Sequence, residues 1–206
     1  MNYQHKLETI MERSENAVPV MLHSCCAVCS SYVLEYLSAK FSVTVLYYNP
    51  NIYPDDEYNK RKKEQIRLIN EVKYKNEVSY IELDTGHGDF ISSVAGLEKF
   101  SEGGARCARC FDLRLRKTVR LAAEGNYAFF ATTLTVSPHK NAQDINRIGE
   151  SLSAEYGVPW LYADFKKNNG FLRSTQLAKQ YGLYRQNYCG CEFSLKNLEE
   201  KKEETL

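Results

Sequence analysis

The chain has 206 residues, of which 43% are hydrophobic, 26% charged and 12% aromatic, and its formal net charge is +1. This composition is typical of a soluble globular protein and excludes a disordered chain, a collagen-like repeat and a coiled coil. No apolar run approaches the ~20 residues of a membrane span, and the polar N-terminus of mixed charge resembles neither a signal peptide nor a transit peptide. We therefore expect a single cytoplasmic domain over residues 1–206 that makes no contact with a membrane.

Short apolar runs alternate with amphipathic stretches along the chain. Runs rich in β-branched and aromatic residues predict five strands, at residues 17–23, 41–48, 78–83, 127–133 and 160–163. Helical spacing of apolar residues predicts helices at residues 31–39, 55–72, 113–124, 141–156 and 172–181, and a solvated helical tail at residues 196–206. This alternation indicates a Rossmann-like, doubly wound α/β fold. Its mostly parallel sheet should have about five strands, with helices on both faces.

Seven cysteines fall into three tight groups, and this number is high for a protein of the reducing cytosol. Cys25, Cys26 and Cys29 follow the first predicted strand, at the sheet edge where such folds bind ligands. Cys107 and Cys110 form a Cys-x-x-Cys pair. Both groups lie near predicted helix starts, where the helix dipole favours the thiolate form that metals bind. We therefore predict a Cys-rich metal site at the carboxyl ends of the strands.

Two other interpretations of these two groups stay open. Buried cysteines also serve as small hydrophobic side chains, although three tight groups together are unusual for that role. A structural zinc site is the second alternative. The ~80 residues between the two groups, however, exceed the spacing of compact zinc modules.

Cys189 and Cys191 form the third group and are separated only by Gly190. A disulfide between cysteines so close in sequence closes a small, strained and easily reduced ring, which indicates a two-electron redox couple. Two further metal thiolates are the alternative. The turn after the first strand lacks the glycine-rich phosphate loop of nucleotide-binding folds. We therefore expect no tightly bound ATP or NAD(P)H, and we infer an external electron donor.

Basic residues accompany the second cysteine group. Arg109, Arg116 and Arg120 are spaced to share one face of a helix, and residues 60–67 form a second basic patch. Tyrosines near the expected ligand edge, Tyr184 among them, offer rings on which an unpaired base can stack. The combination indicates RNA binding, and a solvated charged helix is the alternative.

Six segments, in order along the chain, carry a resemblance to a known family. They are HSCCAVCS (23–30), YYNPNIYPDDEYNKRK (47–62), GGARCARCFDLRL (103–115), FATTLTVSPHKN (130–141), DFKKNNGFLRS (164–174) and LYRQNYCGCEFS (183–194). Together they resemble epoxyqueuosine reductases of the QueH type. The resemblance covers residues 18–195 and leaves a polar N-terminal extension at residues 1–16 and the tail at residues 196–206.

The resemblance implies the last step of queuosine synthesis, in which two electrons remove the epoxide oxygen of epoxyqueuosine at the wobble position of tRNA. It implies a [4Fe–4S] cluster in place of the cobalamin used by an unrelated enzyme. The implied cluster ligands are Cys25, Cys26, Cys107 and Cys110. By the same resemblance Cys189 and Cys191 form a redox-active disulfide. The resemblance also places Cys29 where it can bind an additional iron beside the cluster. Cys29, Cys189 and Cys191 are the implied catalytic residues.

The implied partners are a tRNA and an external electron donor, and the chain is expected to act as a monomer. The basic patches would hold anticodon-loop phosphates while tyrosines stack the flipped base. Two other functions compete with this one. An ATP-dependent tRNA thiolase with a similar α/β core is disfavoured, because Cys25 and Cys26 stand in place of its phosphate-binding loop. A zinc-stabilised RNA-binding domain would be colourless, whereas a [4Fe–4S] protein is brown.

Overall fold

The structure is a computed structural model, and it describes residues 2–83 and 86–203. Within these ranges one sheet contains the strands β1 (Val18–His23), β2 (Phe41–Tyr47), β3 (Val78–Glu82) and β4 (Phe129–Thr132). The α-helices are α1 (Tyr3–Arg13), α2 (Ala27–Leu37), α3 (Asp55–Glu71), α4 (His87–Ser93), α5 (Ala105–Glu124), α6 (Ala142–Tyr156), α7 (Gly170–Gln180) and α8 (Glu192–Glu203). A short 3-10 helix (Thr133–Val136) follows β4.

All neighbouring strands of the sheet are parallel, in the order β3-β2-β1-β4. Parallel neighbours need crossover connections, which the helices provide. Because the strands run in one direction, their carboxyl ends meet at a single edge. There His23 pairs with Leu46 at the end of β2 and with Thr132 at the end of β4.

Helices cover both faces of the sheet because successive side chains of a strand point to opposite faces. In β1, Val20 and Leu22 belong to a core that also contains Leu34 of α2. Met21, which lies between them, belongs to a second core with Leu115 of α5. The predicted doubly wound α/β fold with a parallel sheet is therefore confirmed.

The predicted fifth strand at residues 160–163 is replaced by a single parallel bridge between Phe130 and Trp160. The side-chain amide of Asn146 explains the difference. It donates to the carbonyl oxygen of Ala163 at 2.9 Å, and it accepts hydrogen bonds from the Ala163 N–H at 3.2 Å and the Trp160 indole N–H at 2.9 Å. One amide thus satisfies polar groups that a strand ladder would otherwise pair.

The expected polar N-terminal extension contains helix α1. The Asn2 side chain caps this helix by accepting a hydrogen bond from the N–H of His5 at 3.2 Å, and Leu7 is fully buried in the first core. The helix packs on the domain through a narrow apolar stripe. Few residues of this mostly polar segment are apolar, and the sequence analysis does not predict the helix.

Other helix boundaries differ from the prediction at their N-termini. Helices α2 and α5 begin four and eight residues earlier than predicted, at Ala27 and Ala105, because their first turns carry cysteines and polar residues instead of an apolar stripe. Helix α4 is an additional helix that the pattern does not predict. Residues 204–206 of the predicted tail lie outside the described residues. In the part of the chain that is described, no helix combines the length and the apolar character that a membrane crossing requires.

We expect Gly149→Ala to destabilise the fold. A Cβ at this position of α6 would lie 2.3 Å from ring carbons of the buried Trp160, so the helix or the indole must move. Overpacking of this kind costs about 1–3 kcal/mol, measurable as a lower midpoint of urea unfolding by circular dichroism. The matched control is Gly88→Ala in α4, where nothing lies within 4 Å of the added Cβ. Equal destabilisation of the two variants would contradict the packing argument.

Candidate metal and redox site

The first cysteine group lies at the carboxyl end of β1. The strand ends at His23 and α2 begins at Ala27, so Cys25 and Cys26 occupy the turn between them. Cys26 is the N-cap residue of α2, and its sulfur accepts a hydrogen bond from the N–H of Cys29 at 3.5 Å. The N–H groups and the positive dipole end of a helix favour a thiolate. This turn therefore favours anionic sulfur.

The sulfurs of Cys25, Cys26 and Cys29 all lie within 4.8 Å of one another. Hydrogen bonds with Cys26 and Cys29 hold the pKa of the Cys25 thiol well below its usual value. The hydrogen bond with Cys25 in turn raises the pKa of the Cys26 thiol to about 11. Without metal the trio thus stabilises one thiolate with two thiols, and a binding metal releases the remaining protons. The trio fits a metal or iron–sulfur site.

Three distant parts of the chain line one cavity at this edge. The second cysteine group lies in the first two turns of α5, with its two members on one helix face because they are three residues apart. The cysteines that line the cavity are Cys25, Cys107, Cys110, Cys189 and Cys191. Cys26 and Cys29 join this arrangement through their contacts with Cys25. The structure therefore brings all three predicted cysteine groups together.

The distances between the thiols help to distinguish a site for a single metal ion from a site for an iron–sulfur cluster. A cubane cluster is larger than a single ion, so its thiolate ligands are spread more widely than those of one metal ion. The compact trio matches the spacing of a single-ion site, whereas thiols from the β1 turn and α5 surround the cavity. The donor set, all thiols, is the one that iron–sulfur clusters use.

Amide groups donate to two of the candidate ligand sulfurs. The backbone N–H of Gly103 donates to the sulfur of Cys107 at 3.2 Å, and the side-chain amide of Gln186 donates to that of Cys26 at 3.0 Å. Hydrogen bonds to sulfur stabilise thiolates and tune the potential of a bound cluster. Gln186 is a site residue that the sequence analysis missed, and the signals for it are its position three residues before Cys189 and its place in the segment 183–194 that carries the resemblance.

Three basic side chains line the same cavity: Arg106, Arg114 and Lys140. Arg114 is 3% exposed and donates from Nε to the carbonyl oxygen of Cys110 at 3.2 Å. Among the described residues, none of the three forms an ion pair with a carboxylate. Burial lowers the pKa of Lys140, but electrostatic interactions with Cys25, Cys29 and Cys189 outweigh burial and hold that pKa above its usual value. The cavity therefore pairs cations with anionic sulfur.

The third cysteine group is a dithiol at the wall of the cavity. Cys189 and Cys191 flank Gly190, whose φ of 122° lies in a region that favours glycine. The two sulfurs are 3.5 Å apart, whereas a disulfide bond measures about 2.05 Å. The hydrogen bond between them lowers the pKa of Cys189 to about 6 and raises that of Cys191. Both cysteines are free thiols at a separation from which a two-electron couple could close to a disulfide.

The predicted RNA-binding arginines share one exposed face of α5. The side chains of Arg109, Arg116 and Arg120 are 59%, 41% and 63% exposed. Acidic residues pair with each of them: Asp112 lies 3.8 Å from Arg109 and 3.4 Å from Arg116, and Glu124 lies 3.0 Å from Arg120. Exposed ion pairs of this kind contribute little to stability, so phosphates can replace the acidic partners. RNA binding by this face stays a prediction.

Tyr184, the fourth residue predicted to bind RNA, belongs to a different surface. Its hydroxyl donates to Glu57 of α3 at 2.9 Å, and the ammonium group of Lys60 lies 3.6 Å from the centre of its ring. Lys60 therefore covers the ring on one face. Tyr53 has the more open ring, 44% exposed, next to His87 with ring centres 5.2 Å apart.

A parallel α/β sheet with a cavity of cysteines and cations at its carboxyl edge fits the class of redox proteins that use a metal centre. A family model described as epoxyqueuosine reductase QueH matches residues 20–197. Epoxyqueuosine reductase QueH of Streptococcus pyogenes serotype M1 is 40% identical over 95% of this chain and 79% of its own length. The Staphylococcus epidermidis protein of that name is 39% identical, over 94% and 84%. The one from Thermotoga maritima is 35% identical, over 90% and 94%.

The chain belongs to the epoxyqueuosine reductase QueH family. The six-segment resemblance is thereby confirmed, since the matched range includes all three cysteine groups. The roles of the individual residues remain predictions.

We expect Cys189 to react with iodoacetamide as a thiolate already at neutral pH. Because its pKa is lowered to about 6, its alkylation rate should reach half of its maximum near pH 6, well below the usual value of about 8.5. Mass spectrometry of the peptide that contains Cys189 measures this rate. Cys191→Ala removes the hydrogen bond, and the midpoint should move upward by more than one pH unit. An unchanged midpoint would show that Cys191 does not stabilise the thiolate.

Proposed function

We propose that this chain removes the epoxide oxygen of epoxyqueuosine at the wobble position of a tRNA and leaves queuosine. As a member of the QueH family the chain is an epoxyqueuosine reductase, an oxidoreductase of the last step of queuosine biosynthesis. The observation that carries the chemistry is the single cavity that all three cysteine groups reach. It combines candidate metal ligands with a dithiol.

The dithiol can supply the two electrons that the reaction consumes. Conversion of an epoxide to an alkene consumes two electrons and two protons and releases the oxygen as water. Cys189 and Cys191 supply both electrons when their sulfurs form one S–S bond. Cys191 gives up one proton as it loses its S–H hydrogen and, because Cys189 is a thiolate, the second proton comes from Nζ of Lys140. An external electron donor then returns two electrons, and two protons come from solvent, to restore the Cys191 thiol and the Lys140 ammonium.

We assign the four thiols of Cys25, Cys26, Cys107 and Cys110 to a [4Fe–4S] cluster, and Cys29 to an additional iron. When bound, such a centre supplies single electrons and a Lewis acid for the epoxide oxygen. The chain's own cations support the same chemistry. The guanidinium of Arg114 and the ammonium of Lys140 offer positive charge to anionic sulfur, and Lys140 can donate a proton from Nζ to the leaving oxygen.

Residues beside the cavity would guide the substrate to these groups. Tyr53 offers an exposed ring beside the dithiol turn, since its backbone N–H donates to the carbonyl oxygen of Gly190 at 2.8 Å. An unpaired base can stack on such a ring. The arginine face of α5 begins beside the cavity and would hold phosphates of the anticodon loop.

The decisive experiment is purification without oxygen, followed by iron and sulfide analysis and turnover of tRNA that carries epoxyqueuosine. We expect about four irons and four sulfides per chain, with a fifth iron if Cys29 holds one. A broad visible band should bleach on reduction, and the tRNA should be converted to its queuosine form. Colourless protein with stoichiometric zinc that iron and sulfide cannot replace would overturn the cluster assignment.

Substitution of single cysteines distinguishes the ligands of the cluster from the ligand of the additional iron. We expect Cys110→Ser to lose most iron and sulfide, because Cys110 is assigned to the cluster. Cys29→Ser, the matched control, should keep the sulfide content and lose only the extra iron. The two metal contents are measured on proteins prepared side by side without oxygen. If Cys29→Ser instead lost the sulfide while Cys110→Ser kept it, the cluster would belong to the compact trio of Cys25, Cys26 and Cys29.

The α5 face is tested by the double variant Arg109→Gln and Arg116→Gln. We expect weaker tRNA binding and a flatter salt dependence, with the slope of log K against log salt reduced by about one for each phosphate that the protein no longer neutralises. Fluorescence titrations at several salt concentrations give the slope. Arg173→Gln removes an arginine of similar exposure, 41%, that pairs with Glu35 away from the cavity, and it should leave the slope unchanged. An identical slope in the double variant and the wild type would remove α5 from the interface.

A further inference from the structure

One face of α3 carries alternating acidic and basic side chains against the C-terminal segment. Glu57, Arg61, Glu64 and Arg67 follow one another at intervals of four and three residues, so they share this face. Arg67 donates to the carbonyl oxygens of Tyr181 and Gly182, and the carboxylate of Glu64 accepts from the backbone N–H of Tyr184. The basic patch at residues 60–67 thus holds protein backbone through two of its arginines.

Arg61 is the buried member of this row, with 1% of its side chain exposed. Its Nε donates to Glu57 at 2.7 Å. Its two terminal nitrogens donate to the carbonyl oxygens of Cys189 at 3.0 Å and Tyr188 at 3.3 Å. A planar guanidinium presents donors in a rigid fork. Glu57 fixes the fork, and the two bonds from its terminal nitrogens hold two successive peptide groups of the dithiol turn in a fixed orientation.

Further contacts complete the attachment of this turn. The carbonyl oxygen of Gly190 accepts from the N–H of Tyr53 at 2.8 Å, and the hydroxyl of Tyr188 donates to the carbonyl oxygen of Tyr53 at 2.5 Å. A Cβ on Gly190 would lie 3.0 Å from a terminal nitrogen of Arg61. Three successive carbonyl oxygens, from residue 188 to residue 190, are therefore held from outside the turn.

We propose that Arg61 is a positioning residue that sets the reduction potential of the Cys189/Cys191 couple by holding the turn with its two sulfurs close together. This inference rests on the proposed role of the dithiol. The sulfurs are 3.5 Å apart, so closure to a bond of about 2.05 Å needs a movement of only about 1.5 Å. A held turn has already lost the conformational freedom that ring closure would otherwise remove. Arg61 therefore favours the disulfide.

The measured equilibrium is an exchange with glutathione. Cys189 and Cys191 form one disulfide and give two electrons to oxidised glutathione, which becomes two molecules of the thiol. Cys191 supplies one of the two protons and solvent supplies the other. The protein as isolated is equilibrated without oxygen at a series of glutathione ratios and quenched with acid. Alkylation and mass spectrometry of the peptide spanning residues 189–191 give the fraction oxidised, independently of the other cysteines and of turnover.

We expect Arg61→Gln to lower the equilibrium constant for disulfide formation about tenfold, which corresponds to a potential about 30 mV more positive. Arg61→Lys retains the charge and should recover part of the decrease. Because Arg61→Gln leaves Glu57 buried without its partner, the double variant Glu57→Gln and Arg61→Gln provides a neutral pair if the single variant does not fold, and the same shift is expected from it.

Arg67→Gln is the matched control. Arg67 also pairs with a glutamate and donates to two backbone carbonyl oxygens of the same segment, but it does so at residues 181 and 182. Its removal should lower the unfolding midpoint and leave the glutathione equilibrium unchanged. Equal shifts in the Arg61 and Arg67 variants, no shift with Arg61, or a shift toward the disulfide would each overturn the positioning role.

The experiment also separates this inference from the proposed function. If the wild-type dithiol stayed reduced at every glutathione ratio, the proposed redox role of Cys189 and Cys191 would fail, and the inference with it. If the wild-type couple titrates normally and Arg61→Gln titrates at the same ratio, only the inference fails.

Discussion

The cavity depends on the parallel pairing of β1 with strands on both of its sides. Since β1 and β4 run in the same direction, the turns that follow them lie at one edge of the sheet. The sulfur of Cys25 lies 3.8 Å from the hydroxyl of Thr133 although 108 residues separate them. An antiparallel pair would place these turns at opposite ends of the sheet. The α5 cysteines and the dithiol turn then complete a cavity whose first wall the sheet provides.

Charge links this cavity to the stability of the domain. A buried guanidinium such as that of Arg114 is costly unless an anion compensates it, and the cavity offers thiolates as well as the carboxylates of Glu102 and Asp144. Thiolates in turn are costly to bury without cations or metal. A metal bound at this edge would therefore add its binding free energy directly to folding. The stability contributed by the buried cations is expected to depend on the cysteines, and that of the cysteines on the cations.

The cysteine groups and their sheet edge were predictable because short-range spacing and a strand–turn–helix pattern identify them. Other features depend on contacts that no local pattern carries. Arg61 and Arg67 form part of a basic patch in sequence, yet their carbonyl partners lie up to 128 residues away. The absence of the fifth strand from the described sheet depends on Asn146, whose amide binds Ala163. A side chain that hydrogen-bonds to backbone groups in place of a neighbouring strand can be recognised only in the three-dimensional structure.

The attachment of the dithiol turn to α3 also has a consequence for biosynthesis. A ribosome delivers the chain from its N-terminus, and earlier parts fold first. Strands β1–β4 and the thiols of Cys25 and Cys110 precede the segment that carries Cys189, which contacts Arg61 across 128 residues. A nascent chain thus passes through a stage in which the cavity is open on the side that this segment later closes. That interval would give the cellular machinery for metal delivery its widest access to the candidate ligand thiols.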